Sequence, residues 1–222
     1  MVLKGMVKSM KRIRVCGTGE VVEKKSRFIA NVFNIENEDE AAQIIISVKK
    51  KYWDARHNCY AYVCGENNGQ QKFSDDGEPA GTAGKPILDV IIRSGISNCL
   101  IVVTRYFGGT LLGTGGLIRA YQAAAVEGIA RSEVMEVFSG EKAEVITDYN
   151  NLGKLQYICS DMNINILETE YGENVSIKLI INEDIYEQFV KRITEAFSGT
   201  MNLTDVQKCK YALINGEKVL EI

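Results

Sequence analysis

The sequence predicts an α+β protein of two domains, and three features lead to that reading. Strand-like and helix-like periodicities interleave along the whole chain, two glycine-rich loops are confined to its first part, and the charge changes sign near residue 138. The 222 residues, 45% of them hydrophobic, are enough to bury a substantial core. Residues 1–138 carry 18 Lys and Arg against 15 Asp and Glu, a net +3, whereas residues 139–222 carry 8 against 14, a net −6. The boundary is therefore expected at Ser139–Gly140, giving domains of 1–138 and 139–222. Neither half is basic enough for composition alone to indicate nucleic acid. No apolar run is long enough to span a bilayer, and the basic stretch Met1–Met10 lacks the apolar centre of a secretory signal. A cytoplasmic protein with no membrane association is expected.

The first domain opens with strand signals at Arg12 to Cys16 and, past a break at Gly17 and Gly19, at Val21 to Val32, where Phe28, Ala30 and Val32 alternate. Asn37 and Glu40 stand at capping-box spacing before a helix whose apolar positions are Ala41, Ile44, Ile45, Val48 and Tyr52. Lys49, Lys50 and Lys51 suit its last turn, where the helix dipole is negative. His57 to Cys64 reads as a strand, and Gly65 to Gly84 as a loop. Pro86 is expected to open a helix over Ile87 to Arg93. Cys99 to Thr104 is continuously apolar and β-branched, as in a strand buried on both faces. A loop from Gly108 to Gly116 then leads into a helix from about Leu117 to Ala130.

In the second domain Lys142 to Thr147 is a strand, and Leu152, Leu155, Ile158 and Met162 mark a helix. Ile164 to Glu170 and Val175 to Ile181 form a hairpin; Ile185, Phe189, Ile193 and Phe197 mark a second helix; Thr204 to Leu213 is a last strand. The order is β-α-β-β-α-β, the ferredoxin-like plan.

Six cysteines occur singly, without the paired spacings of a zinc site or redox dithiol, and read as reduced packing residues. Strand alternation puts His57 and Cys59 on one face, so they are either a thiol–imidazole pair or a buried cysteine beside a hydrogen-bonded histidine.

The chemistry is expected in the two glycine-rich loops, each leading into a helix N-terminus where unpaired amides and the positive dipole end favour anions. In the run Arg105 to Tyr121, arginines and aromatics flank Gly108, Gly109, Gly113, Gly115 and Gly116, a combination that suits phosphate and a stacked base. The same glycines also suit tight turns and close packing. Neither a Walker lysine motif nor the Gly-x-Gly-x-x-Gly spacing is present. In the run Phe73 to Pro86, Asp75, Asp76 and Glu78 could hold Mg²⁺, pair with Lys85, Arg105 or Arg119, or form an ordinary acidic turn bonded to its own backbone.

The runs Phe73 to Leu88 and Val102 to Tyr121, with Lys25-Ser26-Arg27-Phe28 and Arg56-His57-Asn58-Cys59-Tyr60-Ala61-Tyr62, resemble the YigZ/IMPACT family over most of residues 20–130. Asp75, Asp76, Gly77, Glu78, Pro79, Gly81, Thr82 and Gly84, and then Arg105, Tyr106, Phe107, Gly108, Gly109, Gly113, Gly115, Gly116 and Arg119, follow that family's motifs without a gap. The last 80 or so residues resemble the C-terminal domain of bacterial members, which is similar in fold to the last domain of elongation factor G. The resemblance implies a first domain with the fold of the second domain of ribosomal protein S-five. It also implies a link to translation, which eukaryotic relatives regulate under amino-acid starvation by competing for the activator of a starvation-sensing kinase. This sequence shows no RWD-type domain like the one that precedes the homologous region in eukaryotes, so their partner is not carried over.

Three uses of the surface follow. The first is a translation-linked, non-enzymatic binding protein with no cofactor, engaging RNA, the ribosome or a nucleotide-like anion. Its contacts would come from Arg27, His57, Asp75, Asp76, Glu78, Gly81, Thr82, Lys85, Arg105, Tyr106, Arg119 and the loop glycines. The second is a Mg²⁺-dependent enzyme acting on a phosphorylated small molecule, with the three carboxylates on the metal and His57 as acid or base. The third is a protein-interaction module using the ferredoxin-like half.

Overall fold

The computed structural model describes residues 9–65, 68–199, 203–214 and 218–221; the basic stretch at 1–8 lies outside the described residues. The chain divides into two compact units, Met10–Met135 and one containing Glu136–Ile222.

The first unit is built on β1 (Ser9–Val15), β2 (Thr18–Glu23), β3 (Ser26–Asn34), α1 (Glu38–Lys51), β4 (His57–Cys64), β5 (Gln70–Ser74), α2 (Gly84–Ser94), β6 (Cys99–Tyr106) and α3 (Gly113–Ala130). Five strands form an antiparallel sheet in the order β2-β3-β6-β4-β5. Alternation sends Phe28, Ala30, Val32, Cys59, Ala61, Val63, Ile101 and Val103 to one face, where α2 and α3 cover them with Ile87, Ile91, Leu117, Tyr121 and Ala124. Tyr62, Cys64, Leu100 and Val102 face the other way, against Ala41, Ile45 and Val48 of α1. Burial on both faces is why Cys99 to Val103 carries no polar residue.

Local chemistry fixes the ends of α1. The Asn37 side chain accepts from the Glu40 amide at 2.9 Å, and the Glu40 carboxylate accepts from the Glu36 amide at 2.8 Å. The stretch expected as one strand over Val21 to Val32 is two strands joined at Lys24 and Lys25, both left-handed with φ of 45° and 65°. A two-residue hairpin needs that conformation and usually takes Asn-Gly for it, so two lysines gave no turn signal. The loop expected over residues 65–84 contains β5, an exposed, polar edge strand without alternation. Helix α2 begins at Gly84, so Pro86 lies inside its first turn, where its missing N–H costs no bond.

The second unit contains β7 (Glu133–Thr147), α4 (Tyr149–Asp161), β8 (Asn165–Tyr171), β9 (Val175–Asn182), a 3₁₀ turn (Glu183–Ile185), α5 (Tyr186–Ala196), β10 (Leu203–Ile214) and β11 (Lys218–Glu221). Its strands run antiparallel in the order β11-β10-β7-β9-β8. Ala143, Val145, Ile177, Leu179 and Ile181 pack on Leu155, Ile158, Phe189 and Ile193 of the two helices. Strand β7 starts nine residues before the expected Lys142, and β11 was not anticipated. Among the described residues no helix is long and apolar enough to cross a membrane.

Candidate functional site

Register builds the centre of the first unit's site. Phe28 of β3, Arg105 of β6 and His57 of β4 are cross-strand partners in one row, the last row of the face covered by α2 and α3. Into this row the loop after β5 inserts Glu78, and α3 inserts Tyr121. The Arg105 guanidinium donates to Glu78 Oε1 at 2.6 Å, with side-chain exposures of only 7% and 3%. The Tyr121 hydroxyl donates to the same oxygen at 2.9 Å and receives the Cys59 thiol at 3.3 Å. Arg105 also lies over the rings of Phe28 and Phe107, at 5.4 and 5.6 Å.

His57 Nδ1 stands 2.8 Å from the Asp76 carbonyl, which can only accept, so Nδ1 carries the proton. Nε2 then faces Glu78 Oε1 at 3.9 Å. Gly77, at φ +87°, lies against the imidazole, where an added Cβ would come within 3.4 Å of Nδ1. Cys59 and His57 share a face, but the single thiol proton is shared between the Asp75 carbonyl at 3.0 Å and the Tyr121 hydroxyl oxygen at 3.3 Å rather than directed at the imidazole. Burial pushes the Cys59 thiol well above its ordinary pKa, which opposes the thiolate a nucleophile requires. The buried-cysteine reading holds.

The acidic loop closes on itself. Asp75 Oδ1 accepts from the amides of Ala83 and Gly84 at 2.9 and 2.8 Å, and Oδ2 from that of Gly81 at 2.8 Å. The anion site expected at the start of α2 is thus occupied by the protein's own carboxylate, which corrects the expectation of free amides there. Asp76 receives Lys49 Nζ at 2.6 Å and the Asn58 amide at 2.7 Å. Gly81, at φ +74°, and Thr82 shape the following turn, with Thr82 Oγ1 donating to the Pro79 carbonyl at 2.7 Å. Each of the three carboxylates considered for Mg²⁺ is engaged in a different place, and among the described residues no group of three or more His, Cys, Asp or Glu side chains could hold a metal. Lys85 pairs with Asp89 one turn along α2, at 2.6 Å.

The second loop is different. Gly108 fits because its α-carbon presses on the β2–β3 hairpin; an added Cβ would lie 2.0 Å from the Lys25 carbonyl carbon. Its amide donates to Ser26 Oγ at 3.1 Å. Gly109 and Gly113 take φ of +87° and +72°, and the chain then enters α3 four residues before the expected Leu117. Gly115 and Gly116 sit in the first turn of α3. That turn has no side-chain cap and no acidic residue, and Gly113, Thr114 and Gly115 are exposed. Arg119 Nη1 reaches back to 3.9 Å from where a Gly115 Cβ would stand. Among the described residues Arg119 makes no ion pair, in contrast to Arg105.

Arg27 lies on the opposite face of the sheet, paired with Glu20 at 2.9 Å and 5.8 Å from the Tyr106 ring centroid. Tyr106 donates to Asp54 at 2.8 Å, and Trp53, the residue before Asp54 in the chain, is 83% exposed. The structure therefore splits the predicted residues. Glu78, Arg105 and His57 form a buried cluster with Tyr121; Arg27 and Tyr106 form an exposed aromatic–cationic patch; Arg119 stands at an open helix end. Trp53, Lys49 and Tyr121 are not among the candidate site residues read from the sequence; the two-residue period of β4 and β6 places His57 and Arg105 on the buried face but carries no signal for these three.

Comparison with known proteins defines the class first: two consecutive family models match, the Impact N-terminal domain over residues 24–129 and a domain of unknown function, DUF1949, over residues 145–200. The IMPACT family member YvyE of Bacillus subtilis is 38% identical over 200 residues, which are 90% of this chain and 92% of that protein. The IMPACT family member YigZ of Escherichia coli is 31% identical over 83% of this chain and 92% of its own. A crystal structure of a hypothetical protein aligns with 91% of this chain and 99% of its own, at a TM-score of 0.58 and 29% identity. The chain belongs to the IMPACT family.

Proposed function

We propose that this protein is a translation-linked binding protein that engages RNA through the exposed part of its glycine-loop surface. The observation that carries the reading is the contrast between two helix ends. The start of α2 is filled by Asp75, whereas the start of α3 is uncapped, exposed, free of acidic side chains and accompanied by Arg119, which makes no ion pair among the described residues. The patch of Arg27 and Tyr106 adds a cation and an aromatic face suited to an unpaired base.

Family membership supports the link to translation, and the antiparallel β-α-β-β-α-β order of the second unit supports reading it as ferredoxin-like. The reading of the first unit as similar to the second domain of ribosomal protein S-five rests on the family resemblance. The Mg²⁺-dependent enzyme has lost its motive, since Asp75, Asp76 and Glu78 bond to amides, Lys49, Arg105 and Tyr121. The test is binding of fluorescent single-stranded and structured RNA across a salt series. The reading expects affinity that falls as salt rises. Folded protein that binds neither RNA at low salt overturns it.

A further inference from the structure

The second unit holds a cavity of about 420 Å³. It lies where β7 and β10 run past the helices, and its polar lining comes from Ser139, Glu141, Glu183, Lys208 and Lys210. Glu141 shares strand parity with the core residues Ala143 and Val145, so its side chain leaves the sheet on the helix side, beyond their apolar packing. Cross-strand register sets Lys208 opposite Glu141 and Lys210 opposite Ser139. Glu183 stands in the 3₁₀ turn that opens the approach to α5.

Two ammonium groups and two carboxylates face one small space, and they are not consumed by each other. Glu141 and Lys208 are register partners, with Cβ atoms expected about 5 Å apart, yet no ion pair joins them among the described residues. Glu141 Oε2 is buried and lacks a hydrogen-bond partner. Burial and the neighbouring Glu183 raise the pKa of Glu141, with Lys208 offsetting part of the rise. An unpartnered buried acceptor is costly in a fold that satisfies nearly all of its polar groups.

The charges select the ligand class. A phosphate would meet two carboxylates and a polyamine would meet two lysines, whereas a molecule with one ammonium and one carboxylate complements both pairs and leaves the net charge of the site unchanged. The volume lies within the range of small-molecule pockets. We propose that this cavity binds a small zwitterion of the size of a free α-amino acid, its ammonium between Glu141 and Glu183 and its carboxylate toward Lys208 and Lys210. The proposal is independent of RNA binding by the first unit.

The test is calorimetric titration of the whole chain with each common L-amino acid, and then with the N-acetyl and amide derivatives of any that bind. These derivatives keep the side chain and remove one charge each. The expected result is saturable binding of at least one amino acid, weakened at least about tenfold in both derivatives and in Glu141→Gln and Lys208→Gln protein. Arg119→Ala is expected to bind normally. Circular dichroism confirms that the variants, one near-isosteric and one at an exposed lysine, remain folded. Absence of binding up to about 10 mM, equal binding of either derivative, or binding unchanged in both variants overturns the proposal.

Discussion

Arg105 is the residue that sequence alone would assign to phosphate, and its surroundings make it instead a keystone of the first unit. Arg105→Ala removes the guanidinium from a carboxylate that is 3% exposed, leaving Glu78 with the Tyr121 hydroxyl and, at 3.9 Å, His57 Nε2. Breaking a buried pair from one side costs about 3–5 kcal/mol, because the remaining charge stays desolvated. Loss of the contacts with Phe28 and Phe107 adds about 1 kcal/mol. Against a typical domain stability of about 5–15 kcal/mol, the variant is left marginal. Removing both charges is expected to be far milder, so Arg105→Met/Glu78→Gln should recover most of the loss, and the cycle formed by wild type, Arg105→Met, Glu78→Gln and their combination should show a coupling of about 3 kcal/mol. Urea unfolding followed by circular dichroism measures these five proteins, and hydrogen exchange of β3 and β6 amides localises the effect. A loss below about 1 kcal/mol in Arg105→Ala would refute the reasoning, because a solvated surface pair behaves that way.

Asp75→Ala removes an acceptor shared by three amides and is expected to cost about 2–4 kcal/mol, with an unfolding midpoint indifferent to millimolar Mg²⁺ in wild type and variant alike. Gly108→Ala forces a methyl group onto the Lys25 backbone; a fall in melting temperature larger than that of Gly115→Ala, where nothing obstructs, is the expected outcome. Thiol labelling of native protein should reach the exposed Cys16 quickly, whereas Cys99, which burial pushes up to about 12, and Cys159, pushed up to about 11, should react only on unfolding. Glu141 has a raised folded-state pKa, so its ionisation destabilises the fold as pH rises through that value. Glu141→Gln should therefore raise the melting temperature near neutral pH, and the gain should vanish below about pH 4, where both states are protonated.

Much of the fold is legible in the sequence because its signals are local. The capping pair Asn37 and Glu40, the doubly buried run Cys99 to Val103, and the apolar spacing of α4 and α5 each encode their element directly. What was not legible depends on partners distant in the chain. The Lys24–Lys25 turn is held by strand pairing rather than by turn-forming residues, and β5 exists because β4 offers it an edge. The glycines of the first turn of α3 read as loop because glycine is a poor helix former, although at a helix end the cost is small and the open backbone is what distinguishes the site. The identity of the candidate residues was legible, but their pairing was not. Sequence shows Glu78 and Arg105 as two charges 27 positions apart, and only the β4–β6 register together with the path of the loop after β5 brings them to 2.6 Å.

In the proposed function, the open end of α3, and not the buried cluster, meets RNA. The most direct test compares RNA affinity across a salt series for wild type, Arg119→Ala and the charge-free Arg105→Met/Glu78→Gln protein. A loss of about 1–3 kcal/mol and a shallower salt slope are expected in Arg119→Ala, with near-normal binding by the double variant. Normal binding by Arg119→Ala alongside lost binding by a folded double variant would contradict it and return the site to Arg105.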